Sequence, residues 1–164
     1  MNKVFLVAGG SGGHLFPALS VFEQLKNYDP LILTDERTEK YLKKLGIKYR
    51  RIFTARLKIN FFLIFNLLKL FLSILDNIAI ILKRKPAIII GFGGYTSIPT
   101  LIAAKILNKK IIIHEQNAVM GKTNRMLSKI ADIVAITFPK TKFAPEKAVY
   151  TGIPLRKKKK NFKF

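Results

Sequence analysis

Cysteine is absent from this 164-residue chain, and acidic residues are scarce: nine Asp and Glu stand against thirty Lys and Arg. Without cysteine there is no disulfide and no thiolate metal site, which fits a reducing compartment. The shortage of carboxylates leaves a formal net charge of +21. The excess is partly local, since Arg156, Lys157 to Lys160 and Lys163 crowd the last nine residues. Residues 1–155 still hold 24 basic residues against nine acidic ones. The partner this implies is anionic: nucleic acid, an acidic membrane surface or a phosphorylated substrate. A lysine-rich, A/T-biased genome would give the same excess with no functional meaning. No aromatic–basic recognition motif accompanies the charge, so nucleic acid is not an expected partner. No internal repeat is visible. No Asp-x-Asp pair closes an apolar run, which argues against a metal-bridged diphosphate, and no cofactor is expected. The first apolar stretch is short and runs straight into glycines, unlike a secretory leader. A hydrophobic content of 49% and a mean hydropathy of +0.21 exclude global disorder. The length suffices for one domain with its own core.

What is present is a rhythm of short apolar runs and amphipathic segments. Strands are predicted over residues 4–8, 31–33, 49–53, 87–90, 110–113, 133–136 and 148–150. Helices are predicted over 15–26, 36–45, 59–82, 97–107 and 122–130, with Pro99 in a first turn, where proline is tolerated. Ile/Val/Leu-rich runs alternating with helices indicate an α/β domain, a Rossmann-like doubly wound parallel sheet. In such sheets ligands sit at the C-terminal ends of the strands. Three motifs fall there: Gly9-Gly10-Ser11-Gly12-Gly13-His14, Gly91-Phe92-Gly93-Gly94-Tyr95 and His114-Glu115-Gln116-Asn117.

A glycine loop between strand and helix lets bare N–H groups approach an anion at the helix N-terminus. Taken alone, such a loop is also a tight turn with no ligand. His14 closes the first loop, and an imidazole can accept a proton from a hydroxyl near neutral pH, so it is the candidate general base. It could instead stabilise a departing diphosphate. Glu115 offers a carboxylate at the cleft, as partner of the base or ligand of a hydroxyl. His114, at the end of a strand, is expected to be buried and hydrogen-bonded.

Residues 59–82 are apolar and long enough to span a bilayer. Asn66, Lys69, Ser73 and Asp76/Asn77 recur every three or four residues, which puts them on one helical face. Lys69 and Asp76 mid-span would each cost about 3 kcal/mol. Three placements follow: a helix in the membrane interface with that stripe wet, a core helix with one wet edge, or a true span. In the first, Phe61, Phe62, Phe65, Leu68, Phe71 and Leu72 enter the lipid, and Lys83 and Arg84 meet anionic headgroups.

Together these motifs resemble the MurG family of bacterial glycosyltransferases. The first loop is followed by Phe16-Pro17-Ala18. The third motif continues with Gly121 and Thr123-Asn124, and Gly152, Pro154 and Arg156 resemble the family's closing motif. The resemblance runs in order from residue 1 to about 156. It implies the N-terminal half of a GT-B fold, residues 1–156 being the acceptor and membrane-binding domain. The implied reaction is inverting transfer of GlcNAc from UDP-GlcNAc to an undecaprenyl-diphosphate-linked muramyl-pentapeptide, on the cytoplasmic face of the bacterial inner membrane as a peripheral protein. It implies donor contacts at Ser11, Gly12, Gly13, Asn117 and Arg156. It implies acceptor-diphosphate contacts at Gly10, Gly93, Gly94 and Tyr95. Residues 157–164 do not look like a linker. A donor domain is expected to be missing, through truncation or a shifted reading frame, or to be supplied by a separate chain. The alternative is a non-catalytic half that binds lipid diphosphate and acts only with such a partner. The chain by itself is expected to have little or no transferase activity.

Overall fold

Alternate side chains of the first strand point to opposite faces, and both faces are dry. In the computed structural model, which describes residues 2–54 and 63–155, β1 (Lys3–Val7) sends Phe5 and Val7 into one apolar cluster. Leu6, with Ala8 beyond the strand, enters another. A strand buried on both sides needs helices on both, and parallel crossover connections supply them. β1 is joined by β2 (Asp29–Thr34), β3 (Tyr49–Arg51), β4 (Ile88–Gly91), β5 (Lys110–Glu115), β6 (Ile133–Ile136) and β7 (Val149–Tyr150). The sheet order is β3-β2-β1-β4-β5-β6-β7, with every neighbouring pair parallel. The expected doubly wound α/β sheet is therefore the observed one. The order reverses at β1, whose neighbours are β2 and β4, so the crevice opens above β1 and β4.

On one face, α1 (Gly12–Gln24) and α2 (Glu36–Lys44) bring Leu15, Ala18, Leu19 and Leu42 against Leu6, Ile32 and Phe92. On the other, α3 (Leu63–Arg84), α4 (Ser97–Ile106) and α5 (Lys122–Leu127) bring Ile80, Ile81, Leu101 and Leu127 against Phe5, Ile89, Ile111 and Ile113. α2 shows why its residues are helical. Asp35 caps it by accepting from the Thr38 N–H, Glu36 and Glu39 fill its first turn, and Lys43 and Lys44 its last.

Several boundaries differ from the sequence reading, among them three that bear on the loops. α1 starts at Gly12 rather than at residue 15, so the second half of the glycine loop is already helical. β5 runs on to Glu115, which makes His114 and Glu115 strand residues. α5 stops at Leu127 instead of reaching residue 130.

The polar stripe of α3 needs a correction. It is a wet edge only in part: Ser73 and Asn77 are fully buried, while Asn66, Lys69 and Asp76 are half-buried. The Ser73 hydroxyl donates to the Phe53 carbonyl. The Asn77 amide donates to the Ser73 carbonyl at 2.8 Å and accepts from Thr100 of α4 at 2.7 Å. Buried polar groups need partners, and α4 with the segment after β3 provides them. Leu70, Ile74 and Ile78 pack on the core from the same side. Outward go Ile64, Phe65, Leu68, Phe71, Leu72, Leu75 and Leu82. Residues Ile64–Arg84 are long and apolar enough to cross a membrane, with a mean hydropathy of 1.9. Phe61 and Phe62 lie outside the described residues. Replacing Asn77 by Ala orphans the Thr100 hydroxyl. It should lower the unfolding free energy by about 1–3 kcal/mol in urea titrations, with the denaturant slope unchanged.

Candidate functional site

Three loops meet at the C-terminal edge of the sheet, after β1, β4 and β5. The first turns within Gly9, Gly10 and Ser11. A Cβ on Gly9 would sit 2.6 Å from the Thr96 hydroxyl and 3.0 Å from the Asp35 carboxyl carbon, so only glycine fits. Gly10 has φ +80°, in the left-handed region. Ser11 occupies the N-cap of α1, but its side chain caps nothing. Ser11, Gly12 and Gly13 are exposed. The first-turn N–H groups therefore open outward at the positive end of a thirteen-residue helix.

The second loop follows β4. Gly93 and Gly94 both have positive φ, and the His14 ring lies against them. A Cβ on Gly94 would be 3.3 Å from His14 Cδ2, and one on Gly93 3.1 Å from His14 Cε1. Side chains here would displace the histidine. The Tyr95 hydroxyl donates to Asp35 Oδ2 at 2.7 Å, and its ring packs beneath Gly10. Tyr95 thus points its hydroxyl inward. Asp35, 3% exposed, also accepts from Thr96 and from the Thr38 hydroxyl. It ties the second loop to the start of α2 under the first loop. Sequence reasoning passed over Asp35, although an aspartate between an apolar strand and Glu36 is an N-cap signal.

The third loop is organised by Glu115, which is 1% exposed. Its Oε1 accepts from the Asn117 backbone N–H at 2.9 Å and the Asn117 amide at 2.8 Å. Its Oε2 accepts from the Gly121 N–H at 3.0 Å and the Asn124 amide at 2.8 Å. Four N–H donors surround the carboxylate, and it holds residues 117–124 in place. Asn124 and Gln116 belong to the third motif and its continuation, yet their types alone gave no sign of these partners.

Behind the cleft runs a chain of imidazole and amide contacts. His14 Nδ1 lies 3.2 Å from Gln116 Oε1. Gln116 Nε2 lies 2.9 Å from the His114 carbonyl and 3.2 Å from His114 Nδ1. His114 Nε2 lies 3.2 Å from the Gly152 carbonyl. Burial pushes the His114 imidazole below its ordinary 6.5, against the opposing pull of the Gly152 carbonyl and of Glu115.

The cleft encloses about 250 Å³ and is lined by His14, Gly93, Gly94, Glu115, Asn117 and residues 121–124. Five predicted site residues are thus brought together. Gly10 lies within the first loop with Tyr95 packed against it, while Ser11, Gly12 and Gly13 stand beside the cleft at the start of α1. Arg156 lies outside the described residues. Lys122 was not anticipated; it lines the cleft as a cation next to Gly121. A second hollow, of about 440 Å³ between α1 and residues 151–155, has no titratable side chain among the described residues that line it. Among the described residues no three His, Asp or Glu side chains converge as metal ligands.

The lowered His114 value sets a sign for pH dependence. The unfolded chain binds a proton at His114 more readily than the folded one. Stability from this group is therefore complete above 6.5 and declines as pH falls through the folded value. Urea titrations at descending pH should show this decline in the parent chain and a flatter profile in His114→Asn.

Residues 4–136 match the N-terminal domain of glycosyltransferase family 28. A relative from Wolbachia sp. subsp. Drosophila simulans is 39% identical over 154 residues, 91% of this chain and 43% of its own length. One from Rickettsia rickettsii is 39% identical over 158 residues, 93% of this chain and 42% of its own. Both are named UDP-N-acetylglucosamine–N-acetylmuramyl-(pentapeptide) pyrophosphoryl-undecaprenol N-acetylglucosamine transferase. The crystal structure of Acinetobacter baumannii MurG superposes with a TM-score of 0.78 at 33% identity, covering 94% of this chain and 47% of that one. The chain therefore spans under half the length of the relatives it matches. The resemblance carried by its glycine loops is borne out: this chain belongs to glycosyltransferase family 28, as its N-terminal domain.

Proposed function

We propose that this domain is the acceptor-side half of a UDP-GlcNAc-dependent GlcNAc transferase, acting on undecaprenyl-diphosphate-linked muramyl-pentapeptide. The observation that carries the reading is the position of His14. Its ring lies between the first glycine loop and Gly93-Gly94, in a cleft at the sheet's switch point. The reaction is a displacement: the acceptor hydroxyl attacks the anomeric carbon, UDP leaves and the configuration inverts. It needs a base on the nucleophile and stabilisation of charge on the diphosphates. His14 takes the hydroxyl proton. The exposed N–H groups at Gly12 and Gly13, with the Ser11 hydroxyl, face the donor. Asn117 and Arg156 complete the donor contacts. Gly10, Gly93 and Gly94 let the acceptor diphosphate approach the backbone, and Lys122 adds a cation nearby. Tyr95 supports that site through Asp35 beneath the loops. Glu115 serves as a positioning residue, because both of its oxygens are engaged by the loop that carries Asn117.

The donor half is supplied by a C-terminal domain or a separate chain, and the protein sits peripherally on the cytoplasmic face of the inner membrane. The outward apolar row of α3 supports membrane contact. Phe65, Leu68, Phe71 and Leu72 are each at least half exposed, with Lys83 and Arg84 at the helix end. An apolar face beside basic residues suits an anionic interface.

Transfer of labelled GlcNAc to the lipid-linked acceptor, in the presence of a donor domain from a related enzyme, tests the reading. His14→Ala should reduce the rate by about 10²–10⁴-fold. An unchanged rate removes His14 from the role of base. In sedimentation with anionic vesicles, the double change Phe71→Asp and Leu72→Asp should weaken binding by roughly tenfold or more, since each ring or branched chain buried in lipid contributes about 1.5–3 kcal/mol. Unchanged binding would move the membrane contact off α3.

A further inference from the structure

Among the described residues the His14 side chain hydrogen-bonds to Gln116, and the hydrogen-bond polarity of that route is dictated from both ends by backbone carbonyls. A carbonyl oxygen accepts and never donates. The His114 carbonyl, 2.9 Å from one end of the Gln116 amide, requires that end to be the NH₂ group. The second hydrogen of that NH₂ points to His114 Nδ1 at 3.2 Å, which must therefore carry the lone pair. His114 then bears its proton on Nε2, and that atom faces the Gly152 carbonyl at 3.2 Å, again an acceptor only. The two ends agree. With the NH₂ so placed, Gln116 Oε1 faces His14, and His14 Nδ1 at 3.2 Å must be the donor.

One consequence reaches the cleft. A neutral imidazole protonated on Nδ1 has its lone pair on Nε2. His14 Nε2 lies beside Gly94, 3.5 Å from where a Cβ would stand, and among the described residues it makes no hydrogen bond. Gln116 is itself 9% exposed, so water does not easily replace it in this role. We propose that Gln116 is a positioning residue which, anchored on the His114 carbonyl, holds His14 in its Nδ1–H form and keeps the Nε2 lone pair turned to the cleft as the proton acceptor. This rests on the reading of His14 as the base and names what prepares it. Removal of Gln116 leaves the ring in place but frees it to adopt the Nε2–H form that histidine favours in water. In that form the atom facing the substrate is already protonated.

The chain has two histidines, so the tautomers can be read directly. Long-range ¹H–¹⁵N correlation spectra of the ¹⁵N-labelled 164-residue chain, recorded above the ordinary imidazole value of 6.5, give the protonated nitrogen of each ring, with His114→Asn assigning the pair. The parent chain should show Nδ1–H at His14 and Nε2–H at His114. Gln116→Ala should shift His14 mainly to Nε2–H. A parent His14 in the Nε2–H form overturns the proposal. So does a His14 tautomer unmoved in Gln116→Ala. The measurement needs neither substrate nor donor half. The base assignment is tested separately by His14→Ala in the transfer assay, and a failed transfer assay leaves the tautomer result intact.

Discussion

Glu115 is a buried charge surrounded by amide donors rather than by a cation, and the cleft depends on how that charge is accommodated. A lone carboxylate in an apolar interior is strongly unfavourable, and hydrogen bonds to both oxygens offset the lost water. Here all four come from one short stretch, two from Asn117 and one each from Gly121 and Asn124. The loop that bears the cleft's polar groups is therefore held by the one acceptor that must have donors. Movement of the loop would strip the carboxylate of its partners, so the two are stable only together.

Asp35, at the end of β2, works in the same way. Its carboxylate gathers Tyr95, Thr96 and Thr38, and so joins the second glycine loop to α2 beneath Gly9 and Gly10. Parallel strands deliver both carboxylates to the same edge, because every strand leaves the sheet in the same direction. Two buried acceptors, on strands that flank β1 and β4, and three glycines at positive φ, Gly10, Gly93 and Gly94, define the floor. His14 rests on that floor, oriented from behind by Gln116. The glycines are small so that the ring can lie close, and the ring lies close because nothing else fills the space.

α3 divides its chemistry differently from a simple amphipathic helix. Ser73 and Asn77 look inward to Phe53 and Thr100, whereas Phe65, Leu68, Phe71 and Leu72 look outward. With Ser73 and Asn77 serving the core, the helix presents a mainly apolar surface in which Asn66, Lys69 and Asp76 are half-buried. Part of the stripe thus departs from the usual pattern, in which polar residues face water.

The sequence by itself determined the strand–helix alternation, the parallel sheet and the three loops at strand ends. These follow from local signals: short β-branched runs and glycines between strand and helix. It also singled out His14, which lines the cleft, since a histidine closing a glycine loop is visible from spacing alone. Tertiary structure decided the rest. Which way the α3 stripe faces depends on partners 20 and 23 residues away, and no periodicity distinguishes a wet serine from one bonded to a distant carbonyl. That Glu115 is engaged on both oxygens, and that Gln116 links His14 to His114, depends on distant segments brought together by the sheet. Helical and strand periods report only near neighbours, whereas a hydrogen bond is set by three-dimensional proximity.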